Sequence, residues 1–560
     1  MREVRVGVHG RVGRNRLTDL EEFVQERSMN SGASYFRFAL ATCLLSWGGW
    51  AGAAPNVLLI IADDYGFDKS SLYVSGEHVP PTPLIEALAR EGVTYDNVWS
   101  SPSCSPTRAT MITGQFGSRN GVPGVIVPPL EGLVHRLDYP HYLPRELDKL
   151  GYDTGMVGKW HLTRTGDGPV RAGYDFFAGR PRSFGAGAGA PEDSIAAYWG
   201  GHLETWRCAP ACEQVMFPES PRPAPVPDGL LRNYMTTWEV DQALGWISER
   251  ADSPWFLWLA FQTPHAPLQL PPEHLVDTGL RERVEDHFDG YEAGLWVQER
   301  GDPVGGRLVF SAMVSAMDTE IGRLVEAVDL EETVVVFLGD NGTVASLSDP
   351  AVVSGRRGKG SLYQGGIHVP MVIAGPGIED RGRRSGELVH TSDIFSTVLD
   401  LAGADMRPDG VPVSIPPDIV IHGRTLAPTL RGEPVPGRQY LLTEGGAFAG
   451  NPAWDEQPAF GGRESTAIRN DRYKLIQVTV PEENSGFICI DGPQPTVYDP
   501  LPCGRDERVK SYELYDLLND PRESNDLLAN GSDALEPDVR TVFEELRDAV
   551  ARVRAGVRVR

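Results

Sequence analysis

Asn56-Val57-Leu58-Leu59-Ile60-Ile61-Ala62-Asp63-Asp64 sets a continuous apolar run between a polar opening and two carboxylates. Such a run, branched and without polar alternation, fits a strand buried on both faces, and such strands belong to parallel sheets covered by helices. Residues 153–157, 256–261 and 334–338 repeat the pattern. Helical patterns lie between the runs. Thr82-Pro83 opens one, with Leu84, Ile85 and Leu88 on its apolar side and Gly92 closing it. Met313, Met317, Ile321, Leu324 and Val328 mark another over 309–328, and its methionines read as core. The alternation predicts an α/β fold: a large domain with a mainly parallel sheet covered by helices.

The residues after each run carry more information than the runs. They are Asp63-Asp64, Gly158-Lys159-Trp160-His161, Thr263-Pro264-His265 and Gly339-Asp340-Asn341. Open α/β sheets bind ligands beyond the carboxyl ends of their strands, so four polar clusters in that position predict one convergent site. A single Asp or His there would be only a turn or cap.

A Pro- and Gly-rich stretch near 405–437 reads as a boundary. It separates a large domain over 54–435 from a small C-terminal α+β subdomain over 436–560. There, strand patterns at 466–468 and 473–478 and a helical pattern at 539–553 predict a small antiparallel sheet with a closing helix. Residues 1–53 read as a leader. Within it, 29–53 form a signal peptide with Arg37, an apolar stretch over 38–47 and the small cleavage triplet Ala51-Gly52-Ala53, and 1–28 form an upstream extension. The apolar stretch is too short to cross a bilayer, which predicts an exported chain, periplasmic or secreted, without a stable membrane anchor.

The 560 residues are 41% hydrophobic and 23% charged, enough to bury a large core. The formal charge of −25 argues against a nucleic-acid partner, which requires an extended basic face. Of six cysteines, Cys43 lies in the leader; Cys208 with Cys212 and Cys489 with Cys503 are candidate local disulfides of an oxidising compartment. Neither pair lies near a ligand-spaced His, which disfavours zinc. Cys104 stands alone.

Cys104-Ser105-Pro106-Thr107-Arg108-Ala109, running on to Thr113-Gly114, places a cysteine where a helix can begin. Free amides at such an end favour a negative group, and a reactive thiolate is one reading of the cysteine. The spacing of Cys, Pro, Arg, Thr and Gly resembles the signature of the type I (formylglycine-dependent) sulfatases, an arylsulfatase-like family in the alkaline phosphatase superfamily. The resemblance spans roughly 55–528, through Pro264-His265-Ala266-Pro267, Gly358-Lys359-Gly360, Tyr473-Lys474-Leu475 and Glu513-Leu514-Tyr515-Asp516-Leu517. It departs at His368, where relatives commonly carry Arg with its local salt bridge, and at Thr107, where Ser is commoner.

The resemblance implies an alkaline-phosphatase-like fold and hydrolysis of sulfate esters to an alcohol and sulfate. It also implies conversion of Cys104 to formylglycine by a formylglycine-generating enzyme. Asp63, Asp64, Asp340 and Asn341, with residue 104, are the implied metal ligands; hard oxygen donors suit calcium, with magnesium as the alternative, rather than zinc. Arg108 and Lys159 are expected to hold the hydrated aldehyde and its sulfated form. His161 is the candidate base for sulfate release. Lys159, His265 and Lys359 are the candidate substrate contacts, with His265 and Lys359 protonating the departing oxygen.

Two other functions use overlapping features. A phosphate or phosphonate ester hydrolase of the same superfamily would share the metal-backed nucleophile, and a catalytically silent binder of sulfated polymers would keep the fold. The combination of Lys159, His161, His265 and Lys359 favours sulfate, and no catalytic position is missing. The alcohol is not identified: sulfated sugars and aryl sulfates both fit. Segments 180–235 and 445–465, with His202, Trp206 and Trp454, are the candidate substrate mouth.

Overall fold

The computed structural model describes residues 54–126, 139–163, 166–182, 204–208, 212–214, 234–250, 253–297, 301–433, 438–445, 465–481, 488–489, 503–504 and 507–554. The leader, His202 and Trp454 lie outside them. Strands β1 to β12 come first: β1 (Asn56–Ala62), β2 (Gly92–Trp99), β3 (Asp153–Lys159), β4 (Phe176–Arg180), β5 (Glu204–Cys208), β6 (Cys212–Gln214), β7 (Trp255–Ala260), β8 (Leu268–Gln269), β9 (Trp296–Val297), β10 (Thr333–Gly339), β11 (Met371–Ala374) and β12 (Arg383–His390). All but the β8·β9 pair join one ten-stranded sheet in the order β12-β2-β11-β10-β1-β7-β3-β4-β5-β6. Only β5 and β11 run against the rest.

The four apolar runs form β1, β3, β7 and β10, which are contiguous at the centre of this sheet. Val57, Leu59 and Ile61 enter one core layer and Leu58, Ile60 and Ala62 the other, as the two-residue side-chain period requires. Both layers are helix-covered, so the mainly parallel, covered sheet is as expected. The helix Pro83–Arg90 stops earlier than its pattern suggests, and Gly92 opens β2 instead. A side chain at Gly92 would meet the Ile373 carbonyl at 2.2 Å, so close strand pairing fixes this glycine. The long helix Pro303–Glu326 begins six residues before the predicted 309, because Asp302 caps it through the Gly305 amide and Pro303 occupies its first turn.

The C-terminal strands are β13 (Leu441–Glu444), β14 (Thr466–Arg469), β15 (Tyr473–Pro481), β16 (Ile488–Cys489), β17 (Cys503–Gly504) and β18 (Glu507–Asp516). β13-β14-β15-β18 form an antiparallel sheet. One face packs on Trp99, Leu362, Ile367 and Leu388 of the large sheet and its loops; the helix Pro537–Arg554 covers the other through Phe543, Leu546 and Val550. Both sheets belong to one compact unit, Trp50–Arg560.

Cys208 and Cys212 form a disulfide at the β5–β6 edge hairpin. Cys489 and Cys503 are backbone register partners in the short β16·β17 ladder. Trp206 lies on β5, half-buried against the core. Among the described residues no helix is long and apolar enough to cross a membrane.

Candidate active site

Four central strands end on one side of the sheet, and their last or following residues converge there. β1 delivers Asp63 and Asp64; its parallel neighbour β10, in register Ala62↔Gly339, delivers Asp340 and Asn341. All four are buried. The Asp340 amide donates to the Ala62 carbonyl at 2.9 Å and the Asp64 amide to Asp340 Oδ1 at 3.1 Å, which locks the two strand ends together. β3 delivers Lys159 as its last residue and then His161; the turn after β7 delivers His265. Asp64 (φ 64°) and His161 (φ 57°) both adopt the left-handed region, uncommon for side-chain-bearing residues and often found where a site imposes geometry.

Cys104 is the first residue of a wholly buried helix, Cys104–Thr113. The Thr107 hydroxyl donates to the Ser101 and Ser103 carbonyls at 3.1 and 3.0 Å, anchoring that first turn. Cys104 Sγ lies 3.4 Å from Asp63 Oδ1 and 3.4 Å from Lys359 Nζ. Burial, then the Asp63 charge, pushes its thiol up to about 12 despite Lys159 and Lys359.

One turn on, Arg108 reaches the same point fully buried. Its Nε and one terminal nitrogen donate to Asp340 Oδ2 at 3.1 and 2.8 Å, and the other donates to the Lys159 carbonyl. Lys159 pairs with Asp63, and Lys359 with Asp64. Burial opposes ionisation of Asp63, yet Lys159, His265, Arg108 and Lys359 together hold its carboxyl well below the usual range. Asp340 is held up to about 6 by burial and by Asp63. Three acids thus face three fixed cations, and the formal charges cancel. A divalent cation would raise that balance to two positive charges, enough to offset an anionic ester and the negative charge that its leaving oxygen develops.

The residues present fit such a cation. Asp63, Asp64, Cys104 and His265 offer donor atoms within 4.8 Å of one another. Asn341 donates through Nδ2 to Asp64 at 2.8 Å, while its buried Oδ1 has no hydrogen-bond partner among the described residues. A buried amide oxygen without a donor is a ready ligand for a hard cation.

The two histidines differ in environment. His265 Nδ1 lies 2.6 Å from the Ala266 carbonyl, which can only accept, so Nδ1 carries the proton. Its Nε2 lone pair faces Asp64 Oδ2 at 3.8 Å. Burial and then Lys359 push His265 down to about 4. His161 is held well below its ordinary value by burial, then by Lys159 and Arg108, and its Nδ1 has no hydrogen-bond partner among the described residues. A neutral imidazole with a free ring nitrogen can accept a proton.

All the predicted catalytic and metal positions meet here, and one buried acid was missed. Glu239, on the helix Met235–Ser248, is fully buried beneath Gly158, and its Oε1 would lie 3.1 Å from a Cβ at that glycine. Burial, joined by Asp63, pushes its carboxyl well above the usual carboxylate range against Gln262, Arg108 and Arg180. Its signal was an acid among the buried positions Met235, Val240, Ala243 and Trp246 of one helix. His368 stacks on Phe67 at 4.5 Å and donates from Nε2 to the Asp96 carbonyl at 3.0 Å. Burial, then Arg469, holds it down to about 3, so a neutral stacked ring occupies the position where a salt bridge was considered.

The sulfatase family model matches residues 55–404. Human arylsulfatase A is 28% identical over 525 residues, spanning 90% of this chain and 89% of its own. A solved structure described as in complex with its substrate, D-glucosamine-2-N,6-O-disulfate, superposes with a TM-score of 0.60 at 18% identity, covering 90% of this chain and 98% of that one. The phosphonate monoester hydrolase of Agrobacterium radiobacter superposes with a TM-score of 0.56 at 20% identity, covering 89% and 95%. At these identities the two superpositions establish a shared fold.

Proposed function

Because the chain belongs to the sulfatase family and is therefore a sulfuric ester hydrolase, we propose that it works through a formylglycine made from Cys104 and a divalent cation. Asp63, Asp64, Asp340 and Asn341, with residue 104, hold that cation, and the all-oxygen protein donors favour calcium. The observation that carries the reading is the placement of Cys104. It lies in the conversion signature at a buried helix start, in contact with an acid on the metal side and with Lys359 on the other.

When bound, the cation polarises the attacking oxygen and one sulfate oxygen. Every other task falls to side chains. Hydration of the aldehyde gives residue 104 two hydroxyls. One gives its proton to water and attacks sulfur, forming an S–O bond to residue 104 while the bond from sulfur to the ester alcohol breaks. His265 and Lys359 bind the sulfate and protonate the leaving oxygen. His265 starts neutral with its Nε2 lone pair inward, so it takes up a proton as the anionic substrate enters and then returns it. His161 accepts the proton of the second hydroxyl; sulfate leaves with its bonding pair and the aldehyde re-forms. Arg108 fixes this arrangement from below, since one guanidinium bonds both Asp340 and the Lys159 carbonyl.

The signal-peptide pattern and the Cys208–Cys212 disulfide support export to the periplasm or beyond. Maturation then requires a formylglycine-generating enzyme. A sulfated carbohydrate or an aryl sulfate is the substrate class.

Peptide mass spectrometry after co-expression with a formylglycine-generating enzyme tests the reading, together with turnover of matched sulfate and phosphate esters. An aldehyde at residue 104 and preference for sulfate are expected. Active protein bearing only thiol there, or preference for phosphate, overturns it.

A further inference from the structure

Lys359 leaves the large sheet's loops on a segment that the C-terminal sheet grips from both sides. Its own backbone is threaded between two site loops: the Lys359 amide donates to the Thr343 carbonyl at 2.8 Å and the Gly360 amide to the Pro102 carbonyl at 2.8 Å. Neither bond restrains the flanks. On the N-terminal flank Arg357 donates to the Glu523 carbonyl, and its guanidinium covers the rings of Tyr363 at 4.3 Å and Tyr515 at 5.8 Å. On the C-terminal flank the Gln364 amide donates to Glu523 Oε2 at 2.6 Å. Gln364 Oε1 in turn accepts from the Trp99 indole at 2.8 Å, and Tyr363 donates to Glu513 at 2.8 Å.

Glu523 therefore fastens both ends of the segment, one through its carbonyl and the other through its carboxylate. It is 2% exposed and sits in the left-handed region (φ 55°). Its second oxygen pairs with Lys474 of β15 at 2.5 Å, and that fully buried ammonium also lies 5.1 Å from the Trp99 ring. A buried carboxylate needs such a partner, because desolvation of a lone charge costs several kcal/mol.

We infer that Glu523, held in place by Lys474, is a positioning residue for Lys359, so that the small C-terminal sheet aims a cation of the active site. The late Tyr473-Lys474-Leu475 and Glu513–Leu517 motifs then supply alignment, through Lys474, Glu513 and Tyr515, rather than only closing the fold. The inference rests on the reading of Lys359 as a substrate contact.

The test compares two double variants that both lack the ion pair. Glu523→Gln/Lys474→Met retains an acceptor for the Gln364 amide; Glu523→Ala/Lys474→Met does not. With formylglycine content matched and the assay run well below each unfolding midpoint, kcat/KM of the alanine variant is expected to fall about tenfold to a hundredfold below that of the glutamine variant, the scale of a small misplacement. In a Lys359→Ala background that difference should vanish. Equal activities of the two variants, or the same fold-change in the Lys359→Ala background, overturns the inference. Lys359→Ala measured alone keeps the two readings apart: normal turnover there removes the role of Lys359 itself.

Discussion

Gly158→Ala perturbs the site without touching a functional group. Gly158 precedes Lys159 on β3 and has φ +93°. A Cβ there would lie 2.0 Å from the Ala260 carbonyl of β7 and 3.1 Å from Glu239 Oε1. Backbone at 2.0 Å cannot be relieved by a side-chain rotation, so the β3·β7 ladder must open where Lys159 and His161 leave it. Gly151 provides the matched control, with φ +82° and nothing within 4 Å of its added Cβ. Gly151→Ala should cost only the conformational penalty, about 1–2 kcal/mol, and leave turnover per folded molecule unchanged. Gly158→Ala adds overpacking of about 1–3 kcal/mol, for a total of about 2–5 kcal/mol. Because the displaced strand end carries Lys159 and His161, kcat/KM should also fall about a hundredfold. Urea unfolding of both variants, with sulfate-ester turnover at matched formylglycine content, decides the matter. If Gly158→Ala proves no less stable than Gly151→Ala, or keeps wild-type turnover, the strand-end account of how these residues are aimed is wrong.

Asp340→Asn keeps the volume but removes a charge from the proposed cation cage, so half-maximal activity should require at least tenfold more free calcium in a chelator-buffered titration. His161→Ala should accumulate sulfated residue 104 after an alcohol burst, whereas His265→Ala should slow alcohol release itself, most for poor leaving groups; rapid quench with mass analysis reads both. His390 is 1% exposed and is pushed down to about 3 by burial, against Asp393, so the fold keeps it neutral while the unfolded chain titrates near 6.5. Its contribution is complete above pH 6.5 and is lost as pH falls from there toward 3, reaching about 2 kcal/mol at pH 5. His390→Gln should remove that slope from urea unfolding measured between pH 7.5 and 5.

The four central strands were legible because both faces of each are buried, which leaves an unbroken apolar run that sequence alone can show. β2 was not: Gly92-Val93-Thr94-Tyr95-Asp96-Asn97 mixes polar residues into a strand paired near the sheet's edge. β11 and β12 were missed for a similar reason, being short or half-polar, as Arg383-Arg384 shows. At the site, Asp63, Lys159, His265 and Asp340 announced themselves by following strands. Glu239 and Glu523 carry no such mark. Glu239 matters through the close approach of a helix to Gly158, and Glu523 through a loop more than 150 residues away in the chain, so only tertiary packing reveals either one.

The alternation of Val57, Leu59 and Ile61 into one layer and Leu58, Ile60 and Ala62 into the other bears on how this chain can vary. Deleting one residue from β1 would exchange the layers for every side chain beyond the cut and draw Asp63 and Asp64 back along the strand together. Exchanging Ile60 for Val would shift neither. Within β1 a change of length is therefore costlier than a change of composition, because it reaches the carboxylates even from the far end of the strand.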